Sequence, residues 1–219
     1  AAASLLTGAV GAVSLAGVSP AFRELFGITS EEQAKNLGIV QMNQVFEDKN
    51  GSGATVTVKE AAADQEQFYI LVEFAAPEGT VLPEPDQVEE GFNRAVLWGG
   101  PDGRGIGFGA YRDESCTSFI GSSEAGYAID YVEDSDPTDN KMEFIIRGHI
   151  DPMPKDAAYC LFSGIQSLCM QYQGEWVTML DGMDIDLIVP LVGMGTHYDF
   201  QGRCGVNLNG VTLAVAENL

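Results

Sequence analysis

Positive charge is scarce in this chain. Only 11 Lys and Arg stand against 32 Asp and Glu among 219 residues, a formal net charge of −21. Duplex binding depends on Lys and Arg displacing counterions from phosphate, so a nucleic-acid partner is excluded. A folded surface this acidic is also repelled by anionic lipid headgroups. Histidine is rarer still, with His149 and His197 far apart in the chain. Zinc catalysis draws on two or three His ligands set close together, as in H-E-x-x-H, and no such spacing occurs. The sequence has no G-x-S-x-G elbow, no G-x-x-x-x-G-K-[ST] loop and no C-x-x-C pair. Those gaps remove the usual signatures of an α/β-hydrolase, a P-loop NTPase and a zinc ribbon or thioredoxin. The nearest elbow lookalike, FSGIQS around Ser163, lies in an alternating, strand-like segment. No internal copy of 20 to 50 residues is present, which excludes a solenoid or propeller. No catalytic, cofactor-binding or metal-ligating residue is assigned.

Four cysteines, Cys116, Cys160, Cys169 and Cys204, are too few for a small disulfide scaffold. They permit three full pairings, and spacing does not choose between these and four buried thiols packed as small apolar groups.

What the sequence does hold is enough apolar residues, 45%, for a packed core, and enough Gly, 26, for many turns. Residues 1–19, AAASLLTGAVGAVSLAGVS, carry no charge. As a helix they would reach ~28 Å, close to the thickness of a bilayer core. The outer end of a transmembrane helix, a signal-peptide core and a soluble apolar helix all fit. The first is carried forward, with the natural start of the chain expected upstream. Residues 20–38 read as two short helices. In SPAFRELFG, Ser19 caps, Pro20 fits the first turn and Gly27 closes. In TSEEQAKNLG, Ser30 and Gln33 form a capping box and Gly38 closes.

After Gly38 the period changes to two. Val56 and Val58 alternate with Thr55 and Thr57, and EDKNGSG before them reads as a hairpin loop. Phe68, Ile70, Val72 and Phe74 share one face, with Tyr69, Leu71 and Glu73 on the other. AVLWGG and GIGFGAYR read as a glycine-rich hairpin around GPDG rather than a dinucleotide fingerprint, because no helix pattern follows. Phe144–Ile150, Ala157–Ser163, Gly174–Met179, Ile185–Val189 and Val211–Val215 read as five further strands. The fold class expected is mainly β: antiparallel sandwich or sandwiches, immunoglobulin-like or related, with short N-terminal helices. The expected division is a first β domain over 39–131, an acidic linker or loop over 132–140, and a second β region over 141–219, truncated at its end.

Two features invite a binding reading. Asp134, Asp136 and Asp139, and Asp181, Asp184 and Asp186, could supply calcium oxygens, but the EF-hand spacing fails, and solvated loops or an outward strand face account for them. Trp98 and Trp176 could form a sugar-stacking platform, although two Trp in a sandwich of this size more often fill the core. With 32 carboxylates, some pair at glycosidase distance is expected by chance.

SPAFRELFG after an apolar segment, followed by Asn43-Gln44-Val45, Ala54-Thr55-Val56-Thr57-Val58-Lys59-Glu60, Ala63-Asp64 and Phe68-Tyr69-Ile70-Leu71, resembles the extracytoplasmic domain of transmembrane anti-sigma factors of Gram-positive bacteria. The match is strongest over residues 18–75. GIQSL at 164–168, GEW at 174–176 and IDLIVPL at 185–191 are similar to later β segments of that kind of protein, and VNLNGVTLAVAE to the start of a following module. The acidic stretch at 132–140 and the four cysteines depart from the pattern. The resemblance implies a non-catalytic sensor or interaction domain without cofactor, outside a single-pass membrane anchor. Its partners would be an extracytoplasmic ligand or protein, a regulatory protease among them, and a sigma factor held by a cytoplasmic segment not in this chain. A cell-surface adhesin or carbohydrate-binding sandwich is the alternative.

Overall fold

A computed structural model describes residues 14–64, 66–82, 95–98, 107–121, 125–132, 136, 138–150, 154–191, 196–200, 203–208 and 211–213. A 3-10 turn at Leu15–Gly17 leads into helix α1 (Pro20–Phe26) and helix α2 (Glu31–Asn36). Both helices are set by their caps. The Ser19 hydroxyl accepts from Phe22 N, and Gly27 ends α1 in the left-handed region at φ 61°. Ser30 and Gln33 form a reciprocal capping box at the start of α2.

The rest is antiparallel β structure. Strands β1 (Val40–Glu47), β2 (Thr55–Ala63) and β3 (Gln67–Ala75) are followed by β4 (Ala95–Trp98), β5 (Gly107–Tyr111), β6 (Phe119–Gly121) and β7 (Ala125–Val132). Then come β8 (Lys141–Ile150), β9 (Tyr159–Tyr172), β10 (Glu175–Pro190), β11 (Thr196–Phe200), β12 (Arg203–Leu208) and β13 (Val211–Leu213). One sheet has the order β1-β2-β3-β8-β7, and a second β10-β9-β5-β6, with β4 also paired to β9. Strands β11, β12 and β13 form a small third sheet.

The first two sheets bury one shared core, as a sandwich requires. Val56, Val58, Phe74 and Phe144 from the first sheet pack with Phe162, Ile165, Ile185 and Leu187 from the second. At one end Phe68, Phe108 and Phe162 cluster, with ring centroids 4.9–5.9 Å apart. Gly148 lies under this cluster: a Cβ there would sit 2.5 Å from Phe68 Cζ and would also meet the Gly126 carbonyl. Between the sheets is an apolar cavity of about 20 Å³, bordered by Val58, Val72, Ile165 and Leu187 among others. It offers water almost no polar partner, so it stays dry.

The mainly β, antiparallel two-sheet class is as expected, while nothing distinguishes an immunoglobulin-like topology. Three local readings are corrected. First, AVLWGG and GIGFGAYR do not pair with each other. Ala95–Trp98 pairs with Ser167–Met170 and Gly107–Tyr111 with Tyr159–Ser163, so both run in the same direction along one side of β9. Their partner is simply long enough to take both.

Second, the segments 157–163, 174–179 and 185–189 belong to one long hairpin, β9–β10, turned at Gln173-Gly174, both with positive φ. Bulges in the pairing, with Gly164 at φ 87° and Gly182 at φ 79°, let each strand continue where a turn was expected. Third, the stretch 132–140 does not divide two domains. Strand β8, after it, inserts between β3 and β7, both before it, and β9 joins β5 to β10. Pairing distant strands closes the core more fully than two half-sized sandwiches would.

Candidate functional site

The two helices do not stand apart from the sandwich. Val18, Phe22, Ile28, Ala34, Leu37 and Ile39 form a second apolar cluster with Ala62, Leu71 and Ile145, on the face of the first sheet opposite the shared core. Phe22 is fully buried and meets Phe26 edge-on at 5.4 Å, and Phe26 meets Tyr69 at 5.0 Å. Residues 14–39 are therefore a strap laid across the outside of a sheet. Its N-terminal end is where the uncharged segment 1–19 joins the β structure.

At that junction sits a buried carboxylate. Glu60 is 2% exposed. Its Oε1 accepts from Ser19 N at 2.8 Å and from Gln41 Nε2 at 2.8 Å, and its Oε2 accepts from the Ser19 hydroxyl at 2.8 Å. Gln41 Nε2 also donates to the Gly17 carbonyl at 2.8 Å. A buried carboxylate is costly unless donors replace its water, and here three do. Ser19 thus does two things with one side chain: it donates to Glu60 and caps α1. The clasp ties Gly17 and Ser19 of the strap to β1 and β2.

Two bulges make the clasp. The β2–β3 register shifts between Val58 and Glu60, and the β1–β2 register between Gln41 and Gln44, with Asn43 at φ 49°. Strict alternation would place Glu60 on the core face with Val56 and Val58. The extra residue turns it to the strap side, opposite Gln41 in the ladder. Beyond the strap, the solvent side of the same sheet carries an ion network: Lys59 with Glu143 at 2.5 Å and Glu73 at 3.4 Å, and Lys141 with Glu73 at 3.1 Å.

The other candidate residues do not converge on the clasp or, among the described residues, on one another. His149 is exposed on β8 beside Gly126, and His197 is on β11. Trp98 is on β4 and Trp176 is exposed near the β9–β10 turn. Ser163 is on β9, paired with Gly107. Asp136 accepts from Thr138, and Asp139 from Lys141 N, as ordinary turn contacts, while Asp134 lies outside the described residues. Asp181 accepts from Gly182 N, Asp186 is exposed, and Asp184 is on β10. No group of three or more His, Cys, Asp or Glu poised to hold a metal occurs among the described residues. No helix among them is long and apolar enough to cross a membrane, and residues 1–13 of the expected apolar span lie outside them.

Comparison with known proteins returned no matching family model, no matching curated protein and no matching solved structure.

The sequence signal for Glu60 is a carboxylate directly after Lys59, at the in-phase position that ends the Val56–Val58 alternation, followed at once by three alanines. Periodicity alone does not show that a bulge there brings the charge to Ser19. What the arrangement can do is mechanical: it couples the position of the N-terminal segment to the register of the first sheet.

Proposed function

We propose that this chain is the extracytoplasmic sensor or interaction domain of a membrane-anchored, anti-sigma-factor-like regulator, and that it is not an enzyme. The observation that carries the reading is the clasp. Two separate stretches bearing the family resemblance, Ser19-Pro20-Ala21-Phe22 and Ala54 to Glu60, meet at the Ser19–Glu60 hydrogen bonds. That is the point where an anchoring segment would transmit force or displacement to the sheet. A net charge of −21 suits a domain kept soluble and away from anionic lipid.

In this reading a ligand or protein outside the cell shifts a two-state equilibrium between clasped and released strap, and a regulatory protease reads the difference. A sigma factor would be held by a cytoplasmic segment outside this chain. The test uses the native full-length protein in its own cells. Deleting its gene should raise transcription from the promoters of one alternative sigma factor, and Glu60→Ala should change that output at equal protein level. Recovery of the full-length protein in the soluble fraction, or unchanged transcription on deletion, would overturn the proposal.

A further inference from the structure

The outer face of the second sheet, away from the shared core, carries a row of rings. Ala110, Cys160 and Val189 point inward and are buried in the core. Their chain neighbours Tyr111, Tyr159 and Pro190 therefore turn to the opposite face. The ladder sets them side by side: Tyr111 is opposite Tyr159, and Tyr159 is opposite Pro190. Phe119 of β6 extends the row. A register shift in the β5–β6 pairing passes over Ile120, which packs on the core, and brings Phe119 opposite Tyr111. Phe119 is 58% exposed, and its ring meets that of Tyr111 at 5.5 Å. One pair along the strands, Leu161 and Ile188 lie opposite each other, both half-buried, and widen the strip.

Gly109 is the floor under this row. A Cβ there would sit 2.9 Å from Tyr111 Cε2 and 3.4 Å from its hydroxyl oxygen. The Tyr111 ring is thus laid down along β5 in space that only a glycine leaves open, instead of standing up from the sheet. Just beyond the Tyr111–Tyr159 pair, Arg112 and Asp156 form an exposed ion pair, with Nε and Nη2 donating to Oδ2 at 2.8 and 2.5 Å. A guanidinium has further N–H donors, so the pair is neutral as a unit and still able to hydrogen-bond a ligand.

The row crosses four strands, three strand spacings or roughly 14 Å. None of its residues is charged, on a chain whose net charge is −21. That contrast selects the occupant. Nucleic acid, anionic lipid and acidic polysaccharide are repelled by the rest of the surface. A second copy brings the same charge again, and a strip of six mostly half-buried residues offers far less than the ~800 Å² per partner of a stable interface. A neutral polysaccharide matches both halves of the site. Each pyranose has a C–H face that stacks on the negative face of an aromatic ring, and a rim of hydroxyls for the Arg112–Asp156 pair.

We propose that the Phe119–Tyr111–Tyr159–Pro190 row is a binding face for a neutral polysaccharide. The aromatic platform looked for at Trp98 and Trp176 is thereby placed on different residues. The proposal names a ligand class for the sensor reading but does not rest on it: binding is measured on the chain alone, and the transcriptional test stands or falls separately.

The experiment runs the 219-residue chain in native gels cast with hydroxyethylcellulose, arabinoxylan, galactomannan or dextran, with polygalacturonate as the anionic comparison. At least one neutral polymer should retard the chain, and polygalacturonate should not. Tyr111→Ala and Phe119→Ala should each weaken the retardation roughly tenfold, the loss of one ring contact. Phe119 is exposed, so its variant keeps the fold and the test does not hang on Tyr111→Ala folding. Tyr111→Phe keeps the ring and should keep the retardation. Trp176→Ala, near the β9–β10 turn, should leave it unchanged. No retardation in any of the four neutral gels would overturn the proposal. So would retardation that survives both ring deletions, falls equally in Trp176→Ala or is matched by polygalacturonate. A sedimenting dimer that Phe119→Ala dissolves would overturn it too, by giving the face to a second copy.

Discussion

Removing Glu60 is the sharpest perturbation of the strap. Glu60→Ala leaves Ser19 N and the Ser19 hydroxyl without their acceptor, while Gln41 keeps only the Gly17 carbonyl. An orphaned buried donor costs about 1–3 kcal/mol, and lost packing adds to it, so the expected loss is about 3 kcal/mol. Glu60→Gln should cost less, about 1 kcal/mol, for a geometric reason. Its amide oxygen can keep Ser19 N and Gln41, and its NH2 can donate to the Ser19 hydroxyl, which rotates to accept. Ser19→Ala removes one Glu60 contact and the α1 cap together, for about 1–2 kcal/mol. The decisive quantity is the double-mutant coupling of Ser19→Ala with Glu60→Ala. Sites in one hydrogen-bond network couple by about 0.5–3 kcal/mol, and independent sites add within about 0.5 kcal/mol. Urea unfolding followed by far-UV circular dichroism gives the four stabilities, and limited proteolysis reports whether residues 14–39 become cleavable first. Coupling below about 0.5 kcal/mol, or a strap no more cleavable in Glu60→Ala than in the parent, would refute the clasp as the tie between strap and sheet.

Three further outcomes follow from other parts of the fold. Gly148→Ala should destabilise by about 2–3 kcal/mol in the same urea assay, because Phe68, pinned by Phe108 and Phe162, cannot retreat from the new Cβ. Lys59 carries a pH dependence. Burial works to lower its ammonium, but the hydrogen bond and charge of Glu143, with Glu73 behind it, outweigh that and hold it above the ordinary 10.5. A folded value above the unfolded one means this contribution is whole below pH 10.5 and is lost as pH rises through the folded value. Lys59→Met should therefore flatten the alkaline limb of a melting-temperature profile. Gln33→Ala opens the α2 capping box, where its side-chain oxygen accepts from Thr29 N and Ser30 N. It should cost about 1 kcal/mol, measured by the same unfolding titration, with little change in slope.

The parts of this fold that were legible in the sequence are those governed by neighbours in the chain. Ser19-Pro20 to Gly27 and Ser30 to Gly38 mark α1 and α2 because a cap satisfies orphan donors within three or four residues. The Phe68–Phe74 alternation marks β3 because one face meets the core. What escaped depends on partners distant in sequence. A glycine such as Gly164 or Gly182 looks the same whether it ends a strand or lets a bulged strand run on, and only the opposing strand decides. The apolar runs of β4 and β5 look like a hairpin because a turn motif separates them, yet β9 takes both. Glu60 belongs to this second kind. Read by period two it is a charge in the wrong place, deep in a core of Val and Phe. The fold resolves that conflict with one extra residue in β2, which turns the carboxylate to the opposite face, and with an N-terminal strap whose Ser19 and Gly17 lie within reach of it and of Gln41. A charge that contradicts its local pattern and is fully satisfied by residues from elsewhere in the chain makes the two segments depend on each other. The strap cannot leave without stranding Glu60, and the sheet cannot lose its bulge without burying that charge in the core.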